Sequence, residues 1–222
     1  MSDVTERRAG PLDLAAFVAT AVASFALRWN LAELVWGLWL SSLLVGYALI
    51  VHGILSAAFR PWPPTTAPEA RAKPDISLAL AALPAGAGIA LRLAGGAFML
   101  AFFTVHFGGF HFVHGIFLGV FFPLAPGQQA FDAVFENAGL ALRGSWPLVL
   151  TTAVSMRRTF EDARREFKPQ TPYLGVIRMH FLIFVFFGAK MLQLDNRWLY
   201  IVVLFFYFFP IAALRGLWRR TT

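Results

Sequence analysis

Long apolar runs separated by short polar ones dominate this chain, and their lengths match membrane-crossing helices rather than strands. A hydrocarbon layer of roughly 30 Å needs about 20 apolar residues per helix, a rule that divides the sequence into about six spans. They are Leu12 to Leu27, about Leu31 to Ala58, Leu93 to about Phe122, a fourth opening at Trp146 and running to about Met156, Tyr173 to Leu194, and Trp198 to Leu217. The expected fold is an all-α polytopic transmembrane bundle, one integral-membrane domain over residues 1–222, with both termini on the cytoplasmic side.

Between the spans the polar segments have distinct characters. RPWPPTTAPEARAKPD is too rich in proline for a helix and reads as a loop, over about residues 59–75. Ile76 to Leu91 is apolar but short, is interrupted by Pro84 and is followed by Arg92, so it reads as an interfacial or re-entrant piece. Ala130 to Arg143 reads as an extramembrane amphipathic helix. Over about residues 157–168, charges recur at helical spacing, pairing Arg157 with Glu161, Arg158 with Asp162 and Glu161 with Arg165. That segment reads as a helix leaving the membrane into the cytoplasm, and Asp195, Asn196 and Arg197 form the turn before the last span.

Composition agrees with this division. A chain that is 58% hydrophobic, holds 24 Phe and carries 14% charged residues cannot hide its apolar surface in one water-soluble core, so lipid is part of its solvent. The absence of cysteine removes disulfides, thiolate ligands and thiol redox chemistry. The net charge of +7 does not signal nucleic acid, because the basic residues flank apolar spans. Arg157, Arg158, Arg164, Arg165, Lys168 and Arg178 precede the fifth span, and Arg215, Arg219 and Arg220 follow the sixth. The excess of basic residues on cytoplasmic loops places both groups inside, and an even number of spans then puts Arg7 and Arg8 inside as well. The N-terminus resembles a signal peptide in charge, but no small-residue cleavage site followed by a soluble domain appears, so the first apolar run is kept as a span of an inner-membrane protein.

Polar groups are expensive in hydrocarbon, which directs attention to TVHFGGFHFVHGIFLG, Thr104 to Gly119. Counted along the spans, His106 falls near the midplane, His114 two turns nearer the outer face, and His180 between the inner surface and the midplane. Ser41 and Thr152 reach a similar middle depth. His106 and His114 are separated by about 12 Å of rise and roughly 80° of rotation, too far for two easy ligands of one ion. His111 and His114 share a face with about 4.5 Å of rise between them and could share a metal. His106 and His180, on facing helices, are the alternative as axial haem ligands. Gly108 and Gly109 predict a break or kink that would alter which histidines converge.

Each of these has a structural counterpart, since a histidine in a span also serves simply to hydrogen-bond a neighbour, and paired glycines serve close helix approach. His52 reads as interfacial and Glu33 as a cap or snorkelling residue. Lys190 with Asp195 reads as an outer-end pair, Arg178 as a lipid-phosphate contact, and Trp29, Trp36 and Trp39 as interfacial anchors. Gly144, Ser145 and Trp146 lack the second glycine of an intramembrane serine protease motif, and phosphate-loop, zinc-protease and dinucleotide fingerprints are absent.

VHFGGFHFVHGIF together with PYLGVIRMHFLIF resembles an uncharacterised prokaryotic membrane family, domain of unknown function 6498. The resemblance runs from about Trp29 to the C-terminus and rests on His106, Gly109, Phe110, His114, Gly115 and Phe117, with Pro172, Tyr173 and His180. It implies an integral membrane protein of this size and no particular activity. Relatives tend to carry a Glu in the second span and a Ser and His pair in the fourth, where this chain has Ser41 and Thr152. Three classes of function remain open. A metal- or haem-binding enzyme or electron carrier would use His106, His111, His114 and His180 as ligands. A transporter or proton pathway would use the same side chains as titrating groups, and an accessory subunit would use its Phe-rich faces to pack against another copy or a larger membrane complex.

Overall fold

The computed structural model describes residues 11–59, 85–127, 130–168 and 170–193, which are helical with no strand among them. Helix α1, Pro11–Ala26, starts on a proline, whose missing N–H is no loss in a first turn. The chain reverses through Arg28, at φ 53°, into α2, Leu31–Ala58. Asn30 caps α2 by accepting from the Glu33 N–H at 2.9 Å, and the Glu33 carboxylate accepts from the Asn30 N–H at 2.8 Å. Glu33 is therefore the second half of a capping box.

Helix α3, Ala85–Phe103, passes through a π-helical turn, Thr104–Gly108, into α4, Gly109–Phe121. The glycine pair does not break the rod: Gly108 and Gly109 keep right-handed helical angles, and the wide turn absorbs one residue. The third apolar helix thus starts at Ala85, not Leu93, and residues 85–91 continue into it. Arg92 does not end it, because its guanidinium donates to the carbonyls of Ala57 and Ala58 at the end of α2.

Ala130–Ser155 is one helix, α5, with non-helical angles at Ser145 just before Pro147. The proline removes a ladder bond and forces the kink. Trp29 donates its indole N–H to the Gly144 carbonyl at 3.0 Å, and Ser145 donates to the Glu33 carbonyl at 3.2 Å. The Ala130 to Arg143 half is continuous with the segment that opens at Trp146, and it buries Ala133, Val134, Asn137 and Ala141 against α2 and α4. Helix α6, Arg157–Arg165, follows Met156, and α7 spans Thr171–Met191. The Arg157 guanidinium is bound to Asp13 of α1 at 2.7 Å rather than to Glu161.

Side-chain contacts give each helix its direction. Asp13 with Arg157, Thr20 with Thr151 and Trp29 with Gly144 run α1 antiparallel to α5. Trp36 with Phe122, Tyr47 with Phe107 and Arg92 with Ala58 run α2 antiparallel to α3 and α4. Phe103 with Tyr173, His114 with His180 and Phe121 with Phe187 run α7 parallel to them. Helix α2 is the central pillar. Trp29, Trp36 and Trp39 are buried within the protein, and each indole N–H reaches a carbonyl of another segment.

Leu31–Ala58, Gly86–Phe121 and Thr171–Met191 are long and apolar enough to cross a membrane, while Leu12–Ala26 is a shorter apolar helix. The Pro-rich loop beyond Phe59, residues 76–84, the Asp195 turn with its expected Lys190 pair, the sixth span and Arg7 and Arg8 lie outside the described residues.

Close packing on α2 is sensitive to single atoms. A Cβ at Gly46 would stand 2.3 Å from the Phe107 ring, whereas one at Gly139, on an exposed stretch of α5, would meet nothing within 4 Å. Gly46→Ala is predicted to lower stability by about 1–3 kcal/mol. Gly139→Ala should leave it unchanged or raise it by up to about 1 kcal/mol. Thermal unfolding of the detergent-solubilised variants measures both.

Candidate functional site: an interhelical histidine pair

Two histidines meet between α4 and α7, a third faces α2 one turn away, and each uses the same local bond. In a helix, the Nδ1 of an imidazole reaches the carbonyl four residues back. His111 Nδ1 lies 2.9 Å from the Phe107 carbonyl, His114 Nδ1 2.5 Å from that of Phe110, and His180 Nδ1 3.2 Å from that of Val176. A carbonyl only accepts, so each Nδ1 carries the proton, and in the neutral ring each Nε2 is a bare lone pair.

The three lone pairs have different fates. His111 is fully buried, and its Nε2 accepts from the Ser42 hydroxyl of α2 at 3.1 Å. Trp39 of α2 donates to the His111 carbonyl at 2.8 Å, and the ring lies against Phe107, with 4.4 Å between ring centres. His114 and His180 instead turn their Nε2 atoms on each other, 2.7 Å apart. Two bare lone pairs at that distance repel unless a cation lies between or beside them.

The pair is compact. Its ring centres are 3.9 Å apart and its planes meet at 86°. A straight N–H···N bond along both ring axes would hold the centres about 5 Å apart. The lone pairs are therefore splayed from the line joining the nitrogens. His114 is 6% exposed and His180 is half-buried, so the pair sits at the edge of the packed core and not in its sealed centre.

Of the residues singled out in the sequence, His114 and His180 come together and His111 stands one turn away. His106 does not join them. It is exposed within the π turn, stacked on Phe102 with 4.2 Å between ring centres, its Nδ1 3.3 Å from the Phe102 carbonyl. The depths counted from span ends differ from the observed register, because the helices are not flush: contacts between Phe103 and Tyr173 and between Phe121 and Phe187 slide His114 level with His180.

Ser41 donates back to the Gly37 carbonyl at 2.7 Å, and the Thr152 hydroxyl is buried with no partner among the described residues. His52 meets Phe160 of α6 edge-on. Lys190 donates to the Phe121 carbonyl and lies 5.0 Å from the centre of the Phe122 ring. Sequence reasoning missed Ser42. The signal that marks it is the stripe Trp39, Ser42 and Gly46 at helical spacing, whose members touch His111 and Phe107.

A family model described as a family of unknown function (DUF6498) matches residues 9–209. The chain belongs to this family. The match takes in every described helix, and so the whole histidine site. No curated protein and no solved structure matches the chain.

The hydrogen bonds assign His111 the Nδ1–H tautomer with an accepting Nε2. Nitrogen-15 NMR of histidine-labelled protein is expected to show that pattern, and the His111 signal should move in Ser42→Ala. A protonated Nε2 on neutral His111 would contradict the assignment.

Proposed function

We propose that this is a multi-pass inner-membrane protein that binds a transition-metal ion through the Nε2 atoms of His114 and His180, with the lipid bilayer as its solvent and both termini cytoplasmic. The observation that carries the reading is the approach of two Nε2 atoms from separate helices to 2.7 Å, while the Nδ1 of each ring is turned to a backbone carbonyl.

Metal–imidazole bonds of about 2.0–2.1 Å from nitrogens this far apart subtend roughly 80° at the ion, near the right angle between adjacent ligands of octahedral or square sites. Imidazole nitrogen selects zinc, copper, iron or nickel over magnesium or calcium. Among the described residues no group of three or more His, Cys, Asp or Glu stands together. Two protein ligands leave positions open to water or a substrate, which suits a reactive or transported ion better than a closed structural one. A haem fits less well, since its axial nitrogens stand about 4 Å apart across the macrocycle. His114 and His180 leave no such gap, and His106 is stacked on Phe102.

The same 2.7 Å separation also favours a second reading, a single proton held by the pair in a proton pathway. The splayed rings make it the weaker one, because a proton bridge strengthens as it straightens.

Protein purified from its own membrane in mild detergent is expected to carry near-stoichiometric metal by mass spectrometry. His114→Ala and His180→Ala should each lose most of it, and His106→Ala should retain it. Metal-free wild-type protein that remains folded would sink the metal reading and leave the proton pathway. Orientation has its own test: in this cysteine-free chain, a cysteine placed at Thr222 should react with thiol reagents only when the cytoplasmic face is open.

A further inference from the structure

We infer that the His114–His180 pair opens sideways into the hydrocarbon, and that the ligand completing its metal is a lipid-dissolved molecule carrying an oxygen donor, a carbonyl or hydroxyl. The inference rests on the metal reading above and deepens it, by naming the class of molecule that reaches the open positions.

Each histidine stands on the border between a buried and an exposed strip of its own helix. Phe110 and Phe117 lie about 40° and 60° round α4 to one side of His114, and Leu118 and His111 lie at the same angles to the other. The first two are exposed, while Leu118 and His111 are fully buried. Phe184 and Ile177 hold the same offsets from His180 on one side of α7 and are exposed. On its other side Val176 is buried, and Ile183 packs on the core around Trp36 and Phe186.

The exposed strips turn to opposite hands on the two helices. Because α4 and α7 run parallel, opposite hands bound the same groove, so both strips frame a single window over the pair. Helix α2 closes the other side, where Ser42 meets His111 and stands beside Gly175.

The four rim residues, Phe110, Phe117, Ile177 and Phe184, are 48% to 70% exposed and all apolar. Half-buried His180 is the polar group behind them. A hydrated or charged ligand would shed its water at such a rim and find no partner there. A molecule already dissolved among acyl chains loses nothing on entry. Once inside it must still give the ion a Lewis base, and apolar sites with a few placed polar groups are the usual form of a small-molecule pocket. An oxygen at the end of an apolar body meets both demands, and three Phe rings line the way for that body.

The test uses Cu2+-loaded protein in vesicles of phosphatidylcholine and phosphatidylglycerol, with decanohydroxamate as the lipid-dissolved oxygen donor. Pulsed electron paramagnetic resonance should detect deuterium near the ion when the acyl chains are deuterated, and decanohydroxamate should shift the visible Cu2+ band. Ile177→Trp overfills the window from the protein surface, so it should keep its metal and bind decanohydroxamate about fivefold or more weakly. Partitioning into the membrane is the same for both proteins and cancels in that ratio. Deuterium near the ion from heavy water and none from the chains means that the site opens to water, and overturns the inference. No chain deuterium together with no band shift means that protein covers the window, and also overturns it, as does equal affinity in Ile177→Trp. Failure of folded wild-type protein to hold Cu2+ or Zn2+ overturns the metal reading beneath it instead.

Discussion

A histidine whose Nδ1 proton is spent on the carbonyl four residues back has one lone pair left to place, and in a water-poor interior it must be placed well. His111, His114 and His180 are all in that state. The bond is purely local, set by helix geometry, but it dictates the long-range arrangement. One lone pair is covered by a hydroxyl from α2, and the other two are left facing each other across α4 and α7. The candidate chemistry of the protein follows from that inequality.

Helix α2 makes the arrangement possible. Its small residues let neighbours approach closely, with Gly46 beneath Phe107 and Gly53 beneath Phe167, while its tryptophans reach outward to carbonyls. Trp36 satisfies Phe122 at the end of α4, and Trp39 holds His111 from the backbone side. An indole combines a large apolar surface with a single donor, so each tryptophan both fills space and fixes register. The π turn adds a further device. It shifts the face of the rod between α3 and α4, leaving His106 exposed while His111 and His114 turn inward.

Much of the fold was legible in the sequence, because apolar run length and terminal signals are local properties. The cap at Glu33, the reversal near Arg28 and the three long apolar helices could be read directly. Arg92 misled because a charge normally ends an apolar run, and nothing nearby in sequence reveals that its partners are the carbonyls of Ala57 and Ala58. Ala130 to Arg143 read as separate from the segment at Trp146 because Pro147 normally breaks a helix, whereas here the two halves run on as one helix through a kink at Ser145. The candidate site was half legible. The histidines drew attention by type, but which of them converge depends on the offset between α4 and α7 and on the extra residue in the π turn. Ser41 and Ser42 are adjacent in sequence and point to different neighbours, a distinction that only the helical stripe of Trp39 and Gly46 could have made.

The central claim is that the unprotonated Nε2 atoms of His114 and His180 are arranged for a cation larger than a proton. X-ray absorption at the metal edge of purified protein loaded with Zn2+ tests it most directly. The account predicts a nitrogen shell at about 2.0–2.1 Å with the outer-shell scattering of imidazole rings. A shell of oxygen scatterers without imidazole features would contradict it.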